Sequence, residues 1–255
     1  MDHFSLAWWI YPVLLFVGFI TGLINSIAGG GGLISVPFLI AIGMPPHFAL
    51  GTNKLQASIG SFISSNYHIK REVVKLKEIK IGIIFSALGA IVGAISVQQI
   101  NPKTLELIIP ILLLIVLINT LHSPQSTLTN RKEKISKNIF YIIFGFAFGF
   151  YDGFFGPGVG LLWAFSFSAF LGYNLSKSTS HTSVVNFTSN LVALIIFLIN
   201  GVVLFLPGII MGVGQIIGAR IGAQLVIERG AKFIRPIFIF MTSAVILKII
   251  FKYLP

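Results

Sequence analysis

No cysteine occurs among the 255 residues, and seven acids stand against 18 Lys and Arg. The missing thiols exclude disulfides and thiolate metal sites. Charge of either sign is scarce, at 10% of the chain against about 25% in ordinary soluble domains. Hydrophobic residues make up 55%. A water-soluble core able to hide that much apolar surface needs a far longer chain, so lipid is the simpler solvent.

The formal charge of +11 suggests nucleic acid until its placement is considered. The cations gather in short loops between apolar runs, the positive-inside pattern of a polytopic membrane protein. One cluster holds Lys70, Arg71, Lys75, Lys77 and Lys80; a second holds Arg131, Lys132, Lys134 and Lys137; a third holds Arg229, Lys232 and Arg235. These loops are expected in the cytoplasm, and the uncharged linkers 98–102 and 200–207 outside. The first residues carry Asp2 and His3 without Lys or Arg, which is unlike a cleavable signal.

Six apolar segments have the length of about 20 residues that one crossing needs: 46–67, 78–98, 103–121, 175–199, 204–227 and 232–252. Two more, 6–43 and 138–172, are too long for one crossing and are broken centrally. The first break reads Asn25-Ser-Ile-Ala-Gly-Gly-Gly-Gly32, the second Asp152-Gly-Phe-Phe-Gly-Pro-Gly158. With the basic loops inside, 6–43 leaves and returns outside, whereas 138–172 leaves and returns inside. At one offset Gly22, Asn25, Gly29 and Gly31 align with Gly149, Asp152, Gly156 and Gly158. Slightly further on, Gly43, Gly89 and Gly93 align with Gly172, Gly218 and Gly222. The expected fold is an all-α polytopic membrane protein of two inverted repeats, each a broken helical hairpin plus three spanning helices. Residues 1–122 and 138–255 form the repeats, 123–137 a basic cytoplasmic linker, and both termini lie outside. Broken helices at matching positions of inverted repeats point to a transporter site at mid-membrane.

The breaks suggest what is bound. Backbone N–H groups of Gly29, Gly30, Gly31 and Gly32, at the start of a half-helix, form a ready anion site. Gly156 and Gly158 offer the same geometry with one donor fewer, because Pro157 has no N–H. The alternative is that these glycines only permit a tight hairpin. Asp152 is the one acid well inside an apolar stretch, hence a candidate proton carrier or a helix cap; its repeat mate Asn25 is neutral. Lys54 lies deep in the helix after the first break and suits an anionic substrate, unless it snorkels. His181 holds a comparable place in the second half, as a packing residue or a substrate contact. Arg220, among Gly214, Gly218 and Gly222, is expected to snorkel.

Enzyme chemistry finds no support. The glycine run lacks the Gly-Lys-Ser/Thr of a phosphate loop. A second membrane-embedded Asp, which an aspartyl protease needs, is missing, and no His–carboxylate set has metal spacing. No cofactor is expected.

The chain resembles the sulfite exporter TauE/SafE family over nearly its whole length. The likeness rests on Asn25-Ser-Ile-Ala-Gly-Gly-Gly-Gly-Leu-Ile34, Gly51-Thr-Asn-Lys-Leu-Gln56, Gly149-Phe-Tyr-Asp-Gly-Phe-Phe-Gly-Pro157, Asn186-Phe-Thr-Ser-Asn190 and Gly214-Gln-Ile-Ile-Gly-Ala-Arg220. One departure is Thr182-Ser183, where relatives often carry a Lys. The resemblance implies a permease of the bacterial inner membrane that exports sulfite, organosulfonates or related small anions, with proton coupling as one option. Candidate substrate contacts are Asn25, the glycines at 29–32, Asn53, Lys54, Gln56, Gly156, Gly158, His181 and Asn186. The competing readings are a passive anion channel and a non-transporting assembly or sensor protein.

Overall fold

The computed structural model describes residues 7–122 and 132–229. Segment 232–252, both chain ends and most of the 123–137 linker fall outside them. The described residues form nine helices. They are α1 (Ile10–Ala28), α2 (Gly32–Ala41), α3 (Pro46–Lys70), α4 (Leu76–Gln98) and α5 (Pro102–His122), then α6 (Lys137–Phe154), α7 (Val159–Phe170), α8 (Leu175–Ile199) and α9 (Phe205–Arg229). Length and composition let α1, α4, α8 and α9 cross a membrane.

Local chemistry sets the boundaries. Gly29 ends α1 in a left-handed conformation, φ 66°, with its N–H on the Asn25 carbonyl. Pro46 opens α3, where its missing N–H costs nothing. Asn174 caps α8 by accepting from the Lys177 N–H at 2.8 Å.

Both broken elements are hairpins. Ile10 and Leu14 of α1 share one apolar cluster with Leu39, Met44 and Ala49, so α1 and α2 begin and end together. Phe140 and Tyr141 of α6 pack with Trp163, Phe167, Leu171 and Tyr173, which places the open end of α6–α7 in a second cluster. Helix α3 runs from the first cluster, at Ala49, to the second, at Ile69. The hairpins therefore enter the bundle from opposite ends. Their tips touch: the Gly160 N–H donates to the Gly29 carbonyl at 3.2 Å. A Cβ on Gly32 would lie 3.1 Å from the Pro157 Cα.

Two helix pairs clasp the hairpins. Helix α1 packs on α9, and α6 on α4. In lipid no hydrophobic force drives helices together, so close backbone contact must supply the attraction, and small residues permit it. A Cβ on Gly218 would stand 2.0 Å from the Phe19 carbonyl oxygen, and one on Gly149 2.3 Å from that of Ser86. Gly149→Leu and Gly218→Leu are each expected to cost about 1–3 kcal/mol or more through overpacking. A lower melting temperature in detergent would show it; unchanged melting would place these crossings further apart.

Loop charge follows the same axis. The Lys134 N–H donates to the Phe170 carbonyl at 2.8 Å, and the Lys177 ammonium sits 4.0 Å over the Tyr173 ring. Val74 and Ile79 join that cluster, so the loops at 71–75 and 132–136 share one basic end. At the other end the Leu204 N–H donates to the Thr52 hydroxyl at 3.0 Å, within the uncharged linker 200–204.

Candidate functional site

Where the tips meet, the two most deeply placed charges of the described chain form an ion pair. The Lys54 ammonium lies 2.7 Å from Asp152 Oδ1, and both side chains are at most 2% exposed. Lys54 also donates to the Asp152 backbone carbonyl and, at 3.3 Å, to Asn190 Oδ1. An ammonium has three donors, so all are used. The other carboxylate oxygen, Oδ2, accepts from the Ser189 hydroxyl and from the Asn190 amide at 3.1 Å. Two charges in so dry a place are tolerable only when paired and hydrogen-bonded, and here both conditions hold.

Each partner arrives on a different element. Asp152 stands in the last turn of α6, Lys54 a third of the way along α3, and Ser189 and Asn190 on α8. The second tip completes the enclosure. A Cβ on Gly156, whose φ is +96°, would meet the Lys54 ammonium at 2.6 Å and Asp152 Oδ1 at 2.8 Å. Conformation and space both require glycine there. The Tyr151 hydroxyl donates to the Pro157 carbonyl at 2.9 Å and pins the same turn.

Of the tip glycines expected to offer donors, Gly29 and Gly156 instead spend their N–H groups on the carbonyls of Asn25 and Tyr151, at 2.8 and 3.0 Å, closing the ends of α1 and α6. Helix α2 starts at Gly32 and α7 at Val159, so two positive helix ends point into the junction. Gly30 and Gly31 donate none of the turn and loop hydrogen bonds among the described residues. The ends of α1 and α6 also reach the junction, with carbonyls of Asn25 and Tyr151 already bonded there.

The sequence candidates divide into groups. Asn25 meets Asn186 across the halves, with the Asn186 amide donating at 3.5 Å. Asn186 in turn accepts from the Asn190 amide, at 2.8 Å on its carbonyl, which ties this contact to the ion pair. Asn53 and Gln56 belong to a separate polar cluster, where the Gln56 amide donates to Asn53 Oδ1 at 2.8 Å. Ser35 of α2 donates to Asn53, while Thr21 of α1 and Gln215 of α9 donate to Gln56. His181 is not brought to the ion pair. It lies nine residues before Asn190, about 14 Å along α8, with its Nδ1 2.9 Å from the Lys177 carbonyl. Arg220 is exposed on the outer face of α9. Arg220→Lys is expected to change stability by no more than about 0.5 kcal/mol; a larger shift in melting would give Arg220 a structural partner.

Residue-by-residue reading did not single out Ser189, Asn190, Ser35, Thr21 and Gln215. Ser189 and Asn190 did carry a signal: they follow Asn186 at helical spacing, on the helix that follows the second break.

A helical membrane bundle with two opposed hairpins meeting at a buried, charged junction defines a membrane transporter. The comparisons agree and give the family: the chain matches Sulfite exporter TauE/SafE over residues 14–249 and belongs to it. A protein named probable membrane transporter protein YfcA, from Escherichia coli (strain K12), is 39% identical over 98% of this chain and 95% of its own length. A probable membrane transporter protein of Haemophilus influenzae is 38% identical over 95% of both chains. The probable membrane transporter protein ORF9 of a Sinorhizobium species is 35% identical, over 96% of this chain and 94% of its own. No solved structure matches significantly.

Proposed function

We propose that this protein is a secondary transporter of small anions, of the size and charge of sulfite or an organosulfonate, rather than an enzyme. The anion binds Lys54 between the hairpin tips, where the Asp152 carboxylate now sits. The observation that carries this reading is the saturation of Lys54. Its three donors serve Asp152 and Asn190, so an incoming anion must take the carboxylate's place. Two anions cannot both face one buried ammonium at low cost. A proton on Asp152 removes that conflict, and anion and proton then enter the site together. The N–H groups of Gly30 and Gly31 provide further donors once the anion has arrived.

The halves are inverted repeats in this reading, with the basic end in the cytoplasm of a bacterial inner membrane. Its support is the exchange of partners, first helix of each half on fourth-position helix of the other, together with hairpins that enter from opposite ends. The native chain has no Cys, so a single Cys at Ser126 reports sidedness. Labelling by an impermeant reagent is expected only from the cytoplasmic side, and external labelling would reverse the arrangement.

The function itself is tested with purified protein in liposomes, by flux of sulfite, thiosulfate, taurine, sulfoacetate and chloride. Saturable flux of one or more sulfur anions, steeper under an imposed pH gradient, is the expected result. Currents that never saturate would make the protein a channel, and no flux of any of the five would end the transport reading.

A further inference from the structure

The ion pair is not the end of the buried polar surface. Lys54, Ser58, Ser61, Ser65 and His68 recur on α3 at steps of four, three, four and three, which places them on one face. All five are buried, Lys54 and His68 at 1% and 0% exposure. That face is turned to α8. Lys54 bonds Asn190, the Phe62 and Phe187 rings pair at 5.4 Å, and His68 Nδ1 lies 3.2 Å from the Ser180 hydroxyl. The two helices thus run antiparallel along a hydroxyl-lined seam, from the ion pair to the basic end. From Lys54 to His68 it extends about 21 Å along α3.

Small polar residues alone would only signify close packing. At the basic end, however, His68 Nε2 is buried without a partner, and so is the hydroxyl of Thr179, one residue before Ser180. Each unmet polar group costs about 1–3 kcal/mol in a dry interior, so native proteins rarely keep them idle. The serines between are held differently. Ser58 donates to the Lys54 carbonyl at 2.7 Å, Ser61 to the Ala57 carbonyl at 2.6 Å and Ser65 to the Phe62 carbonyl at 3.1 Å. Each carbonyl belongs to the helix's own ladder, so a hydroxyl can turn from it to a passing anion without stranding an acceptor. Phe62, 49% exposed, lies at the rim with Phe187 and separates the seam from lipid. Beyond His68 stand the exposed cations Lys70 and Arg71, a field that draws anions.

We infer that the α3–α8 seam is the route of a small oxyanion or sulfonate between Lys54 and the basic end, with His68 Nε2–H as the receiving donor once the Ser180 hydroxyl turns from the Ser176 carbonyl to Nδ1. This rests on the transport reading above and adds the path and a second binding position. Cysteines at Ser61 and Ser65 test it with 2-sulfonatoethyl methanethiosulfonate, itself a small sulfonate. In membranes both are expected to be modified, as read by mass, and modification is expected to block flux. A Cys at Leu76, 49% exposed where α4 leaves the basic loop, serves as the control whose modification leaves flux unchanged. His68→Phe, with melting retained, is expected to slow flux about tenfold, the size of one lost hydrogen bond. Seam cysteines that stay unmodified, or that are modified without loss of flux, overturn the route. Wild-type flux that survives His68→Phe unchanged removes the second position. Modification of both cysteines while wild type passes none of the five anions overturns transport but keeps the seam as an anion-accessible cleft.

Discussion

Asp152→Asn is expected to abolish pH-driven net flux while anion-for-anion exchange continues. The substitution removes the carboxylate that competes for Lys54 and keeps an acceptor oxygen of the same shape. Lys54 is then without a counter-charge, still held by the backbone carbonyl of residue 152 and by Asn190 Oδ1. An external anion can supply that counter-charge without competition from a carboxylate. The variant should therefore be less stable than wild type without anion and should gain more stability when anion is added, by the ordinary linkage of binding to folding. Thermal shift with sulfite and sulfoacetate measures the second effect, and flux at two pH gradients the first. Wild-type pH dependence in the Asn variant would reduce Asp152 to a structural partner of Lys54.

Lys54→Ala carries the larger penalty. It leaves a carboxylate buried with two donors, Ser189 and Asn190, and no counter-charge. Removing one member of a buried pair typically costs about 3–5 kcal/mol, whereas replacing both with neutral groups is often close to neutral. Lys54→Ala is thus expected to lose both anion binding and most of its stability. Lys54→Met with Asp152→Asn should melt near wild type and still bind no anion. The cycle separates the two roles, because stability returns in the double variant and binding does not. Anion binding by a well-folded double variant, measured by calorimetry, would move the substrate site away from Lys54.

Much of this architecture is visible in the residue order. The breaks at 29–32 and 156–158 declared themselves through glycine runs inside apolar segments too long for one crossing. The hairpins, their tips and the helices α3, α4, α8 and α9 fall within a few residues of the expected segments. The pairing of Lys54 with Asp152 was less accessible, because it joins residues 98 apart and depends on tips from opposite ends converging. Charge alone nonetheless points to it: a single Lys and a single acid at membrane depth are each best tolerated there by meeting the other. Read singly, Lys54 suits a substrate anion or snorkelling and Asp152 a proton or a helix cap; the structure makes them two ends of one contact. The polar cluster of Asn53 and Gln56 is similar, since its partners Thr21 and Gln215 lie on helices whose packing loop charge cannot fix.

The seam also bears on how the nascent chain enters the bilayer. Helix α3 is 25 residues long, yet it is not among the four helices whose length and composition suffice for crossing. The side chains that fit it for the interior of the bundle make it a poor passenger in lipid on its own. Its shelter, α8, is synthesised more than 100 residues later. Until then α3 must be kept at the insertion machinery or against α1 and α2, and the protein completes its first half only by making its second.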